Sequence, residues 1–155
     1  MKFPEGFIWG AAAASYQIEG GARVDGKGDS VWDMICRQPD RVFGAHSGED
    51  SIDHYHRYVE DILLMKKIGL QAYRFSISWP RVLPEGVGSV NEKGLGFYDR
   101  LVDKLLEYDI EPYVTLFHWD FPDDFIFFSQ TFWNNFNILN RTIISNNTIF
   151  NFLCP

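Results

Sequence analysis

The sequence predicts an α/β protein in which parallel strands alternate with covering helices. Strand-like runs near residues 7–14, 71–78 and 110–117 are separated by segments of helical spacing, so the order is strand, helix, strand, helix, strand. About 40 residues lie between Gln71 and Glu111, enough for a helical crossover between parallel neighbours. Each run also stops at a polar or aromatic group: Ser15-Tyr16-Gln17-Ile18-Glu19, then Trp79-Pro80, then His118-Trp119-Asp120. In an α/β barrel the loops at the carboxyl ends of the strands build the binding site.

Taken in order, Phe7-Ile8-Trp9-Gly10 and the alanines at 11–14 suit a strand or a short helix, since small residues allow either. We read a strand, with Gly10 and the alanines permitting close packing across a crowded interior. Residues 21–50 are rich in Gly, Asp and Arg and form a long excursion with one helical turn around 31–35. From 51 to 68, Ile52, Tyr55, Val59, Ile62, Leu63 and the stem of Lys66 recur at helical steps, and Gly69 follows as the stop. After the second strand, Ser89 or Asn91 caps a helix whose apolar face is Leu95, Tyr98, Leu101, Val102, Leu105 and Leu106. The third strand runs from Ile110 to Phe117, and its stretch Tyr113-Val114-Thr115-Leu116-Phe117 is apolar or β-branched, as befits a strand buried in a parallel sheet.

The chain has 155 residues and a net charge of −7. That length suits one domain but falls short of the roughly 250 residues of a complete eight-stranded α/β barrel. The acidic balance argues against nucleic acid and against an anionic membrane surface as partner. Aromatic residues make up 17%, a share that suits either packing or a polar cleft for a flat, many-hydroxyl ligand. Cys36 and Cys154 have neither metal-ligand nor disulfide-framework spacing and fit a reducing compartment. Pro4, Glu5 and Gly6 occupy the place of an apolar targeting core, and no run reaches membrane-span length, so a cytoplasmic location is expected.

The character changes near Asp124. Residues 124–155 contain no Gly, Ala, Val, Lys or Glu, all of which the first 123 residues use. The expected division is therefore a folded portion at 1–123 and an aberrant Asn-, Phe- and Ile-rich tail at 124–155, whose low charge makes it prone to aggregate.

On residue type and position, the candidate site comprises Gln17, Arg74, Trp79, His118 and Trp119, with Glu19 and Asp120 beside them. Gln and neutral His each offer a donor and an acceptor, which suits hydroxyl ligands, and Trp offers a flat apolar face. The same residue types serve equally well as internal supports, and Glu19 and Asp120 read first as structural. Arg74 falls within a buried strand, so its charge should meet a carboxylate. His54 and His56 read as packed or solvated, because no metal-binding His or Cys spacing is present, and the glycines form no phosphate loop; no cofactor is expected.

Four blocks in order resemble glycoside hydrolase family 1, the β-glucosidase family. They are Phe7-Ile8-Trp9-Gly10 through Ser15-Tyr16-Gln17-Ile18-Glu19-Gly20; Asp25-Gly26-Lys27-Gly28 with Ser30-Val31-Trp32-Asp33; Tyr73-Arg74-Phe75-Ser76-Ile77-Ser78-Trp79-Pro80-Arg81; and Phe117-His118-Trp119-Asp120-Phe121-Pro122. The resemblance covers about residues 3–123. It implies a TIM (β/α)8 barrel, here as about three β/α units, and a β-glucoside or oligosaccharide as partner. By position it implies that Gln17 and His118 bind glycone hydroxyls, that Trp119 lines the same pocket, and that Arg74 contacts the nucleophilic carboxylate.

The implied reaction is a retaining double displacement between two Glu carboxyls about 5–5.5 Å apart. The blocks that carry them, Thr-x-Asn-Glu-Pro and Glu-Asn-Gly, do not occur in this sequence. The 155-residue chain is thus expected to be inactive and, with sheet edges open, unstable or aggregation-prone by itself. The alternatives are a 6-phospho-β-glycosidase, against which Trp119-Asp120 speaks, and a non-catalytic sugar-binding fragment, which calorimetric glucose binding would reveal.

Overall fold

A computed structural model describes residues 2–122. The strands are β1 (Gly10–Ala12), β2 (Ala72–Ser76) and β3 (Glu111–Thr115), and they form one parallel sheet in the order β1-β2-β3. Gly10 lies opposite Ala72, and Ala72 lies opposite Glu111, so the three strands start level. Their carboxyl ends consequently open onto the same rim. The helices are α1 (Ser15–Ile18), α2 (Val31–Arg37), α3 (His54–Lys67), α4 (Trp79–Val82) and α5 (Glu92–Glu107). This is the strand-helix alternation of a partial (β/α)8 barrel, as the sequence predicts.

Helices α3 and α5 pack on one another, and α5 packs on β3. Between them lies the core, where Ile62, Phe75, Phe97, Leu101, Leu105 and Ile110 are buried. On α5 the predicted stripe holds from Leu95 to Leu105, with Phe97 added and Leu106 left exposed. On α3 the stripe is rotated from the expected one. Tyr55 and Ile62 are buried, with Tyr58 and Met65 packed against the core, whereas Ile52 and Leu63 are exposed. The inward row is therefore 55, 58, 62 and 65, a single i, i+3, i+4 series. Gly69 stops α3 in the left-handed region, with φ of 84°.

Gly10 allows the close approach expected of it, because a Cβ there would lie 2.9 Å from the carbonyl oxygen of Ala72. The crowding comes from the neighbouring strand rather than from an interior, since β1 is exposed along its length among the described residues.

The excursion after β1 folds back over the rim. Its helix α2 starts with a capping box: Ser30 Oγ accepts from the Asp33 amide at 3.3 Å, and Asp33 Oδ2 accepts from the Ser30 amide at 2.8 Å. The Val31 amide then donates to the Phe121 carbonyl at 2.8 Å, fastening α2 to the segment that leaves β3. No helix among the described residues is long and apolar enough to cross a membrane. The proposed tail at 124–155 lies outside the described residues.

Candidate functional site

The three strand exits meet at one carboxylate. Asp120, buried just past β3, accepts through Oδ2 from the Ser15 hydroxyl at 3.1 Å and from the Trp79 amide at 3.1 Å. Ser15 follows β1 and Trp79 follows β2, so one side chain links all three ends of the sheet. Its Oδ1 also faces the His118 amide at 3.4 Å. Below it, Ser76 Oγ accepts from the Ser15 amide at 2.8 Å. Burial raises the Asp120 carboxyl to about 6, with the nearby Glu19 carboxylate adding to the rise and the donated hydrogen bonds opposing it.

A second buried network braces the first. Arg81, on α4, is fully buried; its Nε donates to Glu19 Oε2 at 2.8 Å and its Nη2 to the Gly20 carbonyl at 3.0 Å. The guanidinium also lies 4.1 Å from the centre of the Tyr55 ring. Burial alone would pull the Arg81 pKa down, but the Glu19 carboxylate outweighs it and the group stays charged. Tyr98 of α5 donates to the other Glu19 oxygen at 2.6 Å and accepts from the Ser78 amide at 2.7 Å. Burial raises the Tyr98 phenol well above its ordinary value, and Glu19 raises it further, so it remains a neutral donor.

Around this frame stand the residues predicted from sequence. Gln17 is exposed on α1, two residues beyond Ser15. His118 is half-buried and Trp119 is 66% exposed. Trp119 has φ of 64°, the left-handed region that a bulky side chain rarely adopts. The Ser15–Asp120 bond brings the backbone segments carrying Gln17 and His118-Trp119 to the same end of the sheet. Trp79 is fully buried, with its indole N–H on the Gly86 carbonyl at 3.1 Å.

Arg74 departs from expectation. It is exposed in β2, and its Nε donates to Thr115 Oγ1 on β3 at 2.8 Å. No carboxylate pairs with it among the described residues. The charge stays in solvent because its side of the sheet is open, while the buried Arg–carboxylate pair occurs at Arg81 and Glu19.

Residues 1–151 match the model of glycosyl hydrolase family 1. The chain belongs to that family. It is 57% identical over 122 residues to β-glucosidase A of Acetivibrio thermocellus, covering 79% of this chain and 27% of that protein. It is 56% identical over 121 residues to the aryl-phospho-β-D-glucosidase BglC of Bacillus subtilis, covering 78% of this chain and 25% of that one. Among solved structures, the family 1 β-glucosidase from Thermotoga maritima superposes with a TM-score of 0.76 at 56% identity over 78% of this chain and 27% of that one. The virulence factor SghA from Agrobacterium tumefaciens gives 0.88 at 46% identity over 92% and 33%. The chain thus spans about a quarter to a third of the length of these relatives.

For this family 1 chain, the reading of Glu19 and Asp120 as internal groups agrees with their burial. Arg81 was not singled out from the sequence, although it is the buried partner of Glu19. Its surroundings, Trp79-Pro80-Arg81, read as a loop leaving β2, and only the short helix α4 turns the guanidinium inward. Neither His54 nor His56 is in a metal-holding group among the described residues. His54 is buried with Nδ1 2.6 Å from Asp61, and the exposed His56 sits 2.6 Å from Asp53.

Proposed function

We propose that this chain forms part of a retaining glycosidase that cleaves terminal β-D-glucosidic bonds, and that it contributes the glycone-binding side chains Gln17, His118 and Trp119. The observation that carries this reading is the linkage of the three strand exits through Asp120, which gathers motif residues from distant parts of the sequence onto one rim. Gln17 and His118 each provide a donor and an acceptor for neighbouring sugar hydroxyls, and the exposed Trp119 ring provides a flat wall. Arg74, facing the open side of the sheet, would keep a nucleophilic carboxylate ionised by its adjacent positive charge. Relatives support the substrate class: Thermotoga maritima β-glucosidase has been solved with glucoimidazole, and SghA with its substrate analogue salicin.

The reaction needs one carboxylic acid to protonate the leaving oxygen and one carboxylate to attack the anomeric carbon, followed by water. Glu19 and Asp120 do not fill these roles. Glu19 is held by Arg81 and Tyr98, and Asp120 by Ser15 and Trp79. The 155-residue chain should therefore show no turnover of an aryl β-glucoside above its Gln17→Ala/His118→Ala variant.

A graft tests the positive half of the proposal. With residues 1–122 replacing the equivalent part of Thermotoga maritima β-glucosidase, Gln17→Ala and His118→Ala should each lower kcat/KM on the order of 100-fold, or about 2.7 kcal/mol. A folded, active graft indifferent to both changes would refute the assignment. The second reading, a 6-phospho-β-glycosidase, is favoured by the likeness to the Bacillus subtilis protein. Grafting residues 1–122 into that protein separates the two. A pocket built around Trp119-Asp120 for a non-phosphorylated sugar should lower the preference for the 6-phosphorylated aryl glucoside.

A further inference from the structure

Two buried polar atoms near the rim have no partner among the described residues: the donor Arg81 Nη1 and the acceptor Asp33 Oδ1. Both residues line one cavity, together with Glu19, Lys27, Ser15 and Ser78. The space open to the centre of a water-sized sphere is about 10 Å³, the lower bound for a single water molecule.

We propose that this cavity is a binding site for one ordered water that accepts from Arg81 Nη1 and donates to Asp33 Oδ1. Size excludes a larger ligand. Charge argues against an ion: the lining brings two cations, Lys27 and Arg81, and two carboxylates, Glu19 and Asp33. These are already matched, Lys27 Nζ to Asp33 Oδ2 at 3.2 Å and Arg81 Nε to Glu19 Oε2 at 2.8 Å. What remains unmatched is one donor and one acceptor, the demand that a neutral water meets with one lone pair and one O–H. Ser15 and Ser78 in the same lining offer its remaining hydrogen-bonding capacity.

The water would join two otherwise separate ionic units. One is the capping box that starts α2, where Asp33 holds Ser30 and Lys27. The other is the Glu19–Arg81–Tyr98 group that links the exits of β1 and β2 to α5. The excursion over the rim is then coupled to the strand ends by a hydrogen-bonded bridge. This site stands independently of the glycosidase reading, since it requires no substrate.

Two measurements on the 155-residue chain test it. A crystal structure should show a single solvent peak about 2.7–3.2 Å from both Arg81 Nη1 and Asp33 Oδ1, unchanged after a bromide soak. Water–protein NOE spectroscopy should show a cross-peak from the Arg81 guanidinium protons with the sign of a molecule that tumbles with the protein, and Arg81→Lys should abolish the bound water while the backbone spectrum keeps its dispersion. Direct contact between Arg81 and Asp33, an empty cavity, a bromide signal in the cavity, or a water cross-peak with the sign of freely diffusing solvent would each overturn the proposal.

Discussion

Glu19→Gln isolates the charge that balances Arg81. The change is nearly isosteric, so it opens no cavity, and the amide oxygen can still accept from Tyr98. It leaves a guanidinium that is 1% exposed with no counter-charge on the carboxylate side. Breaking a buried ion pair from one side costs about 3–5 kcal/mol. The variant should lose stability by about that amount. Urea unfolding followed by tryptophan fluorescence is a suitable assay, because Trp79 is fully buried and four residues or fewer from both Arg81 and Tyr98-bonded Ser78 in sequence. Arg81→Met removes the charge from the other side, and the double variant should cost at least 1 kcal/mol less than the sum of the singles, roughly the coupling expected of contacting residues. Single losses under about 1 kcal/mol that simply add would refute the view that this pair is a desolvated, mutually dependent unit.

Asp120 gives a pH dependence of opposite sign to the usual acid. Its folded carboxyl is raised to about 6 from the ordinary 3.8, so between those values the folded state binds more protons than the unfolded one. Stability should rise as pH falls from 7 to 4, by up to about 3 kcal/mol from this group, and Asp120→Asn should flatten that slope in urea titrations at several pH values. Trp119→Gly should raise stability by about 1 kcal/mol through relief of the left-handed backbone, while lowering kcat/KM in the graft. Gly94→Ala should destabilise thermal unfolding by more than the roughly 1 kcal/mol that helix propensity offers, because its Cβ would lie 2.1 Å from the Arg81 carbonyl oxygen.

Sequence pattern located β2, β3 and both long helices, because those elements are set by which residues turn toward a shared core, whereas the exposed β1 carries no such pattern. The end of α3 was legible from Gly69, whose backbone geometry follows directly from residue type. The rotation of the α3 stripe was not: Ile52, Leu63 and Tyr58, Met65 satisfy the same spacing rules, and only contact with Phe97 and its neighbours selects the inward row. Residue chemistry alone marked Gln17, His118 and Trp119 at the strand exits, but it gave no sign of the buried Arg81–Glu19 pair and expected Arg74 to be buried, where the structure leaves it exposed. A charge in a strand is costly only where both faces are covered, and the Arg74 face of β2 is open. The polar frame of Asp120, Glu19, Arg81 and Tyr98 depends on groups up to about 100 residues apart in sequence, and no local pattern encodes that closure.

The level, three-stranded sheet also limits what copies of this fold can build. Trp9 and Ala13 bond toward β2 from one side and Glu111 from the other, so alternation turns Gly10 and Ala12 outward at one margin and Pro112 and Val114 at the other. Pro112 brings no N–H, so the two margins are unlike, and copies joining through them would add head to tail. Among the described residues these two margins are where a barrel of this family would continue, the next strand adding beside β3 and the last one closing beside β1.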